Sequence, residues 1–298
     1  MAAAILDAMH LGFVGFGLIG GSIARAIRAS GDRSSWTMSA WSPTGTGPSQ
    51  AATDGTIDRA APSATDAIAD ADLVVLAGPP TACLAAIDDL VGPWRVALPP
   101  GAVVTDVAST KGSIVARADA AGLRFVGGHP MAGLEMSGYA ASRGELFLDR
   151  PWVIVPGRLA GPADIALVTT LATTCGARTV ELDATVHDRA VAAISHLPLV
   201  LAAALVETVA GSMAAGAPDI WPIASGLAAT GWRDMTRLAR GDPSMGAGIA
   251  VTNASALREQ LLALESTLAS WRGALERPDE PSIHERLAAA RSRLEETP

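Results

Sequence analysis

Lysine is almost absent from this sequence. Of its 22 basic residues, 21 are arginines and the sole lysine is Lys111. Charged residues make up only 17% of the chain, and the formal net charge is −8. A surface that binds nucleic acid needs a basic stripe or patch, and no such stripe opposes the negative total. Nucleic acid is therefore not an expected partner.

Long apolar runs and cysteines are also scarce. No uninterrupted apolar run reaches the roughly 18 residues that a membrane helix needs. The opening MAAAILDAMH lacks the basic start of a signal peptide. The two cysteines, Cys83 and Cys175, are far apart without metal-ligand spacing, so we expect buried, reduced thiols and no bound metal. These features predict a cytoplasmic protein without a membrane partner.

What the chain does contain is enough apolar sequence for two domains, because 49% of its 298 residues are hydrophobic. In residues 1–182 apolar strand-like runs alternate with segments of helical spacing. This alternation predicts a parallel sheet with helices on both faces. Residues 183–298 have helical patterns almost throughout. We therefore expect an α/β domain followed by an all-α domain.

A glycine turn follows the first predicted strand. The apolar run His10–Phe16 leads into Gly15-Phe-Gly-Leu-Ile-Gly20 and then into a helix-like segment that ends at Gly31. In such a turn the first glycine permits the bend, the second lets a pyrophosphate approach, and the third lets the helix pack closely. The pattern predicts a Rossmann-type, doubly wound sheet that binds a dinucleotide through these residues: Gly15, Phe16, Gly17, Leu18, Ile19 and Gly20.

The end of the second predicted strand, Trp36–Trp41, should meet the adenosine ribose. Enzymes that use NAD usually have Asp or Glu there, whereas this chain has Ser42 followed by Pro43. Serine neither binds the ribose as firmly as a carboxylate nor repels a 2′-phosphate. The sequence leaves NAD and NADP open as cofactors.

Further polar or turn residues follow later strands and should line the same crevice, because carboxyl ends of parallel strands meet at one edge. They are Pro79, Ser109 and His129. His129 follows two glycines and precedes Pro130, and a histidine can exchange a proton near neutral pH. We predict it as the general base. Lys111 lies two residues from Ser109, and we expect its compact ammonium beside the nicotinamide.

Five ordered motifs resemble those of the prephenate and arogenate dehydrogenases of tyrosine biosynthesis, the TyrA family. They are the glycine turn, DVASTKG, GGHPMAGLEMSG, HDR with SHLP, and GWRDMTR. The resemblance implies a dinucleotide-binding domain followed by a helical domain that forms a homodimer. It also implies that His129 bonds the ring hydroxyl of the substrate and that Ser109 helps to position this hydroxyl. Substrate-binding positions carried over from the family are Arg237, Glu135, His187, Ser195 and Arg233.

The implied reaction is the oxidative decarboxylation of prephenate to 4-hydroxyphenylpyruvate with NAD(P)+. Arogenate, which would give tyrosine directly, stays open as the substrate. A β-hydroxyacid dehydrogenase or imine reductase of the same architecture is a rival, but such enzymes use other donors than a His-Pro motif. A nucleotide sensor without turnover is a second rival, and the dense set of polar residues at strand ends argues against it.

Helical spacing adds expectations for the second half. Arg233 and Arg237 are four apart, and His187 and Ser195 are eight apart, so each pair should share a helical face. Pro198 should kink its helix. The stretch LVLAAALVETVAG is more apolar than a small bundle requires, which predicts burial at a dimer interface. The tail after Pro278 should form one amphipathic helix, leaving no room for an appended regulatory domain.

Overall fold

The computed structural model describes residues 9–31, 35–134, 136–211 and 219–296. Within these ranges the first part of the chain forms an eight-stranded sheet in the order β3-β2-β1-β4-β5-β6-β7-β8. The strands are β1 Met9–Val14, β2 Trp36–Trp41, β3 Arg59–Ala60, β4 Leu73–Leu76, β5 Val103–Asp106, β6 Phe125–Pro130, β7 Pro151–Pro156 and β8 Arg178–Glu181. Strands β1 to β6 pair in parallel.

Six helices belong to this sheet: α1 Leu18–Ala29, α2 Thr46–Thr53, α3 Ala64–Ile68, α4 Pro80–Val91, α5 Gly112–Ala120 and α6 Pro162–Thr174. They cover both faces of the sheet, which explains why the central strand β4 is apolar throughout. Along β4, Leu73 and Val75 join one buried cluster, whereas Val74 and Leu76 join another. A strand buried on both faces needs apolar side chains at successive positions, and the predicted fold class is confirmed.

The last two strands depart from the all-parallel expectation. β6 pairs antiparallel with β7, with His129 opposite Val153, and β8 then pairs parallel with β7. Between Pro130 and Pro151 the described residues contain only a 3₁₀ turn at Tyr139–Ala141. Parallel strands are usually joined by a crossover helix, and the described part of this connection holds none, so the chain returns beside β6 in the opposite direction.

The second part of the chain is helical as predicted. It comprises α7 Ala184–Val191, a π-helical turn Ala192–His196, α8 Leu197–Ala210, α9 Trp221–Gly226, α10 Thr230–Met235, a 3₁₀ turn Arg237–Arg240, α11 Pro243–Thr252, α12 Ala254–Glu276 and α13 Glu280–Glu295. Pro198 lies in the first turn of α8, directly after the π-helical turn, and the kink predicted there stays a prediction. The predicted domain boundary between residues 182 and 183 stays a prediction.

The continuous helical stretch Ala184–Ala210 is unusually apolar. By length and composition alone it is long and apolar enough to cross a membrane, with a mean hydropathy of 1.9 in its most apolar window. Only 22% of that window is buried within the chain. The helix therefore leaves a large apolar surface uncovered in the single chain. Its sequence contains polar residues, so it was not recognised as an uninterrupted apolar run of membrane-spanning length.

Candidate active site

The carboxyl edge of the parallel strands brings the predicted nucleotide-binding turns together. The Gly15–Gly20 turn follows β1, Ser42 follows β2, and Pro79 follows β4. β1 lies between β2 and β4 in the sheet, so these three segments are neighbours. Ser109 and His129 belong to the same edge, after β5 and near the end of β6.

The glycine turn has the geometry that the sequence predicted. Gly15 has a φ of +85°, and a Cβ there would lie 2.9 Å from the backbone of Ala77. Gly17 is the N-cap of α1, no side chain caps this helix, and its first turn holds no acidic residue. A Cβ on Gly17 would meet nothing within 4 Å. Free N–H groups beside open space fit a pyrophosphate, which binds readily at a helix N-terminus.

Phe16 takes part in this site through its backbone alone. Its side chain is 5% exposed and packs against Phe13 and Tyr139, with ring centroids 5.4 and 5.6 Å away. Leu18 and Ile19 form the first turn of α1 and are half-buried. These ring contacts hold the glycine turn against the core of the sheet domain.

Ser42 directly follows β2, where the adenosine ribose of a bound dinucleotide is expected. Its hydroxyl is buried, and within the described part of the chain it has no hydrogen-bond partner. A buried hydroxyl without a partner costs free energy unless something bonds it. Ser42 is therefore suited to a ribose hydroxyl or a 2′-phosphate, and its side chain does not choose between them.

His129 is buried and stands at the end of a chain of polar contacts. Its Nδ1 lies 2.8 Å from His187 Nε2, and His187 Nδ1 lies 2.8 Å from Asp188 Oδ1. Asp188 in turn accepts hydrogen bonds from the backbone N–H groups of Lys111 and Gly112, at 2.7 and 2.8 Å. His129 belongs to the sheet, whereas His187 and Asp188 belong to α7. His129 is therefore held by contacts from both parts of the molecule.

The surroundings of His129 favour its neutral form. Burial, then the neighbouring His187 and the Lys111 ammonium, lower the pKa of His129 well below its usual value. The charged imidazolium loses its hydration in such a place, and no carboxylate of the described residues bonds it directly. At neutral pH His129 is thus available to accept a proton.

Lys111 forms a buried ion pair. Its side chain is fully buried and its ammonium pairs with the carboxylate of Asp106, which is also fully buried. Asp106 accepts further hydrogen bonds from the backbone N–H groups of Ala108 and Gly128. The charge of Lys111 also helps to lower the pKa of His129, and the predicted contact of Lys111 with a nicotinamide stays a prediction.

The two glycines before His129 are explained by the same cluster. A Cβ on Gly127 would lie 2.9 Å from Lys111 Cδ, and one on Gly128 would lie 2.7 Å from the carbonyl oxygen of Asp106. Real Cβ atoms do not approach backbone oxygens so closely. The Gly-Gly pair lets β6 pass over the Lys111–Asp106 ion pair and bring His129 to the edge.

The π turn changes which residue accompanies His187. His187 and His196 are each 1% exposed, whereas Ser195 is exposed. A π turn holds more residues per turn than an α-helix, so the face shared with His187 falls one residue later than the eight-residue spacing predicted. His196 was not among the predicted site residues.

His196 is held by the second part of the chain. Asn253 Nδ2 lies 3.1 Å from His196 Nδ1 and donates to the carbonyl oxygen of Asp188 at 2.8 Å. Burial lowers the pKa of His196 to about 4, and the ring lies beside the backbone of Ser109. His196 is thus a neutral ring next to the predicted substrate-positioning serine.

The predicted arginine pair does not share one helix. Arg233 lies in α10, which ends at Met235, and Arg237 begins a separate 3₁₀ turn. The four-residue spacing rule therefore fails for them, because Thr236 ends α10 between them. Both side chains are exposed. Glu135 lies outside the residues that the structure describes.

The fold and the contacts between His129, His187 and Asp188 together define a class of protein. A glycine turn, a doubly wound sheet and a buried histidine supported from a helical second part are features of a dinucleotide-dependent oxidoreductase. The nucleotide-binding domain model of prephenate dehydrogenase matches residues 23–181, and the dimerization domain model of prephenate dehydrogenase matches residues 183–289. The chain belongs to the prephenate dehydrogenase family.

Two bacterial relatives illustrate this membership. The chain is 32% identical over 244 residues to a prephenate dehydrogenase from Bacillus subtilis (strain 168), a match that covers 80% of this chain and 62% of that protein. It is 30% identical over 250 residues to a cyclohexadienyl dehydrogenase from Zymomonas mobilis, covering 83% and 82%. The chain thus spans somewhat less than two thirds of the length of the first relative.

Solved structures share the whole architecture. Prephenate dehydrogenase from Aquifex aeolicus, in complex with hydroxyphenyl propionate and NAD+, superposes with a TM-score of 0.86 at 28% identity and covers 99% of this chain and 100% of that chain. Arogenate dehydrogenase from Synechocystis gives a TM-score of 0.78 at 30% identity, covering 96% and 99%. Neighbours that act on either ring acid therefore have this fold.

Proposed function

We propose that this protein is an NAD(P)-dependent prephenate dehydrogenase, which converts prephenate to 4-hydroxyphenylpyruvate and carbon dioxide. The observation that carries the proposal is the neutral, buried His129 at the cleft edge, supported by His187 and Asp188. Arogenate is the alternative substrate, because a structural neighbour acts on it. NAD is a cofactor of another neighbour, and Ser42 leaves NADP equally acceptable.

The chemistry requires one base beside a ring hydroxyl. Nε2 of His129, the ring nitrogen that His187 does not engage, takes the proton of the C4 hydroxyl as a carbonyl forms. A bound nicotinamide supplies the acceptor for the hydride that leaves C4. Electrons of the bond between C1 and its carboxylate then flow through the ring to the new carbonyl oxygen. Carbon dioxide leaves, the ring becomes aromatic, and His129 returns its proton to the phenol oxygen.

The remaining proposed residues bind and orient. Ser109 is half-buried three residues past β5, and its hydroxyl can donate to or accept from the substrate hydroxyl. Arg237 suits a substrate carboxylate, because a guanidinium binds carboxylates with two parallel hydrogen bonds. Glu135 is proposed near the mouth of the cleft, and Ser195 and Arg233 are proposed near the substrate pocket. The role of His187 is to hold His129.

The deciding experiment is an assay of reduced-cofactor formation with purified protein. Prephenate and arogenate are each crossed with NAD and NADP. We expect turnover in at least one pairing with prephenate. Turnover with arogenate alone would show that arogenate, not prephenate, is the substrate. No turnover in any pairing would overturn the proposed dehydrogenase function.

The pH dependence of kcat/KM should report the state of His129. Because its pKa is lowered, the ring stays unprotonated well below the usual histidine value of about 6.5. We therefore expect kcat/KM to be constant from neutral pH down past pH 6.5 or so and to fall only at lower pH. Rates measured in overlapping buffers from pH 4.5 to 8.5 test this. An acid limb centred above about pH 6.5 would contradict the lowered pKa.

We further propose a cytoplasmic homodimer. The described helical part carries many exposed large apolar side chains, among them Ile194, Ile223, Leu227, Leu262, Leu268, Leu275, Leu287 and Leu294. An exposed apolar surface of this extent marks an interface, and the apolar helix Ala184–Ala210 belongs to it. Sedimentation velocity should give twice the 30.2 kDa of one chain. A monomer at micromolar concentration would contradict the proposal.

A further inference from the structure

We propose that Asp188 is a positioning residue, which sets the hydrogen positions on His187 and thereby leaves Nε2 of His129 bare for the substrate. The inference rests on the proposed function for its effect on turnover. The hydrogen positions themselves can be measured without turnover.

Asp188 is fixed by the sheet domain rather than by its own helix. Both carboxylate oxygens accept backbone N–H groups from the start of α5, Oδ1 from Lys111 and Oδ2 from Gly112. The start of a helix favours a negative charge and offers free N–H groups. No side chain of the α5 N-cap residue bonds this helix itself. A carboxylate 76 and 77 residues away in sequence takes over that role.

Gly112 shows how closely the carboxylate is seated. A Cβ at this position would lie 2.8 Å from Asp188 Oδ2, which is too close for an unstrained contact. Gly112 has no positive φ, so backbone freedom does not explain the glycine. The approach of Asp188 does explain it.

The carboxylate then determines where the hydrogen of His187 lies. Burial raises the pKa of Asp188, but hydrogen bonds from His187 and from the two backbone N–H groups outweigh burial, so the pKa is lowered overall. Asp188 is therefore ionised at neutral pH and can only accept hydrogen bonds. His187 Nδ1 must carry the hydrogen, and in the neutral ring its Nε2 is bare.

The same logic passes to His129. A bare His187 Nε2 accepts, so His129 Nδ1 donates across the 2.8 Å contact. The neutral ring of His129 has one hydrogen, and Nε2 is therefore left unprotonated. When Nε2 takes the substrate proton, the new positive charge is stabilised through His187 by the fixed carboxylate.

Asp188→Asn tests this assignment. The amide can present N–H to His187 Nδ1, which would move the hydrogens so that His129 carries its own on Nε2. We expect kcat to fall about 10- to 100-fold, with KM nearly unchanged because the loss concerns the transition state. The loss should persist across pH, since a ring with its hydrogen on the wrong nitrogen is not corrected by deprotonation.

A matched control is Asp183→Asn. Asp183 also caps a helix, and its carboxylate accepts from the N–H groups of Thr185 and Val186 at the start of α7. This carboxylate is exposed and bonds no histidine side chain in the described part of the chain. Its variant should lose stability without losing turnover. Gly112→Ala is a second probe, because it pushes Asp188 away and leaves the carboxylate chemically intact. It should lower kcat in the same direction as Asp188→Asn.

The readout independent of activity is ¹⁵N NMR of histidine-labelled protein at neutral pH. The chain has five histidines, so single His→Asn variants assign the signals. His129 should show a protonated Nδ1 and a bare Nε2 in the parent chain, and the reverse in Asp188→Asn. Unchanged ring signals in a folded Asp188→Asn variant would overturn the inference and leave Asp188 as a helix cap. If the ¹⁵N signals of His129 changed as expected but neither the parent chain nor the variant showed turnover, only the proposed function would be overturned.

Discussion

Replacing His129 by asparagine should lower kcat with the best ring acid by about 10²- to 10⁴-fold, the usual contribution of a general base. Asparagine retains an N–H group that can bond His187 but has no nitrogen that accepts a proton. The glycine turn lies on other strands of the sheet, so the dissociation constant of the cofactor should stay nearly unchanged. Reduced-cofactor absorbance and isothermal titration calorimetry measure the two quantities.

His284→Asn is the matched control. His284 is exposed on α13, the last helix along the described chain and not part of the cluster around His129. Its variant should therefore retain full turnover. If the His129 variant bound cofactor normally and kept a parent-like kcat, the proton would be leaving the hydroxyl by another route. The assignment of His129 as base would then be wrong.

The second large effect concerns stability. Lys111→Met should lower the free energy of unfolding by about 3–5 kcal/mol, because it leaves the fully buried carboxylate of Asp106 without its partner. Burial already raises the pKa of Asp106, and Lys111 opposes that rise. Without the ammonium the folded-state pKa should rise further, so the variant loses stability as pH increases through that value. Urea unfolding at pH 5 and pH 8 should show the larger deficit at pH 8.

Adding Asp106→Asn to Lys111→Met should recover most of this loss, since the buried charge is gone and one oxygen still accepts a backbone hydrogen bond. The exposed pair Arg291–Glu295, with side chains 81% and 61% exposed, provides the control. Arg291→Met should change stability by less than about 1 kcal/mol. A Lys111→Met variant as stable as the Arg291 variant would show that the buried pair contributes nothing.

Local patterns in the sequence were sufficient for the sheet. Trp36–Trp41 was predicted as a strand with the bounds that the structure has, because its apolar run ends at Ser-Pro. The glycine turn was likewise readable from a short segment, since strand, turn and helix are neighbours along the chain. The reversed direction of β7 is not predicted, because an apolar run indicates a strand but not its direction in the sheet.

The candidate site required contacts that no local pattern contains. Asp188 bonds the start of α5 across 76 and 77 residues, and the HDR motif alone does not indicate that partner. His196, rather than Ser195, lies on the buried face with His187 because a π turn precedes it. The spacing rule for an α-helix does not include such a turn. Lys111 is noticeable in the sequence because it is the sole lysine, but the sequence pattern does not indicate that its ammonium is buried against Asp106.

The enclosure of Lys111 also affects the reactivity of the folded chain toward amine reagents. It is the only lysine in the sequence, and its side chain is fully buried. An acylating reagent or amine cross-linker therefore has one lysine target, which it reaches only when the layer between the sheet and α5 opens. The rate of acylation at this residue measures how often the core beneath His129 is exposed to solvent.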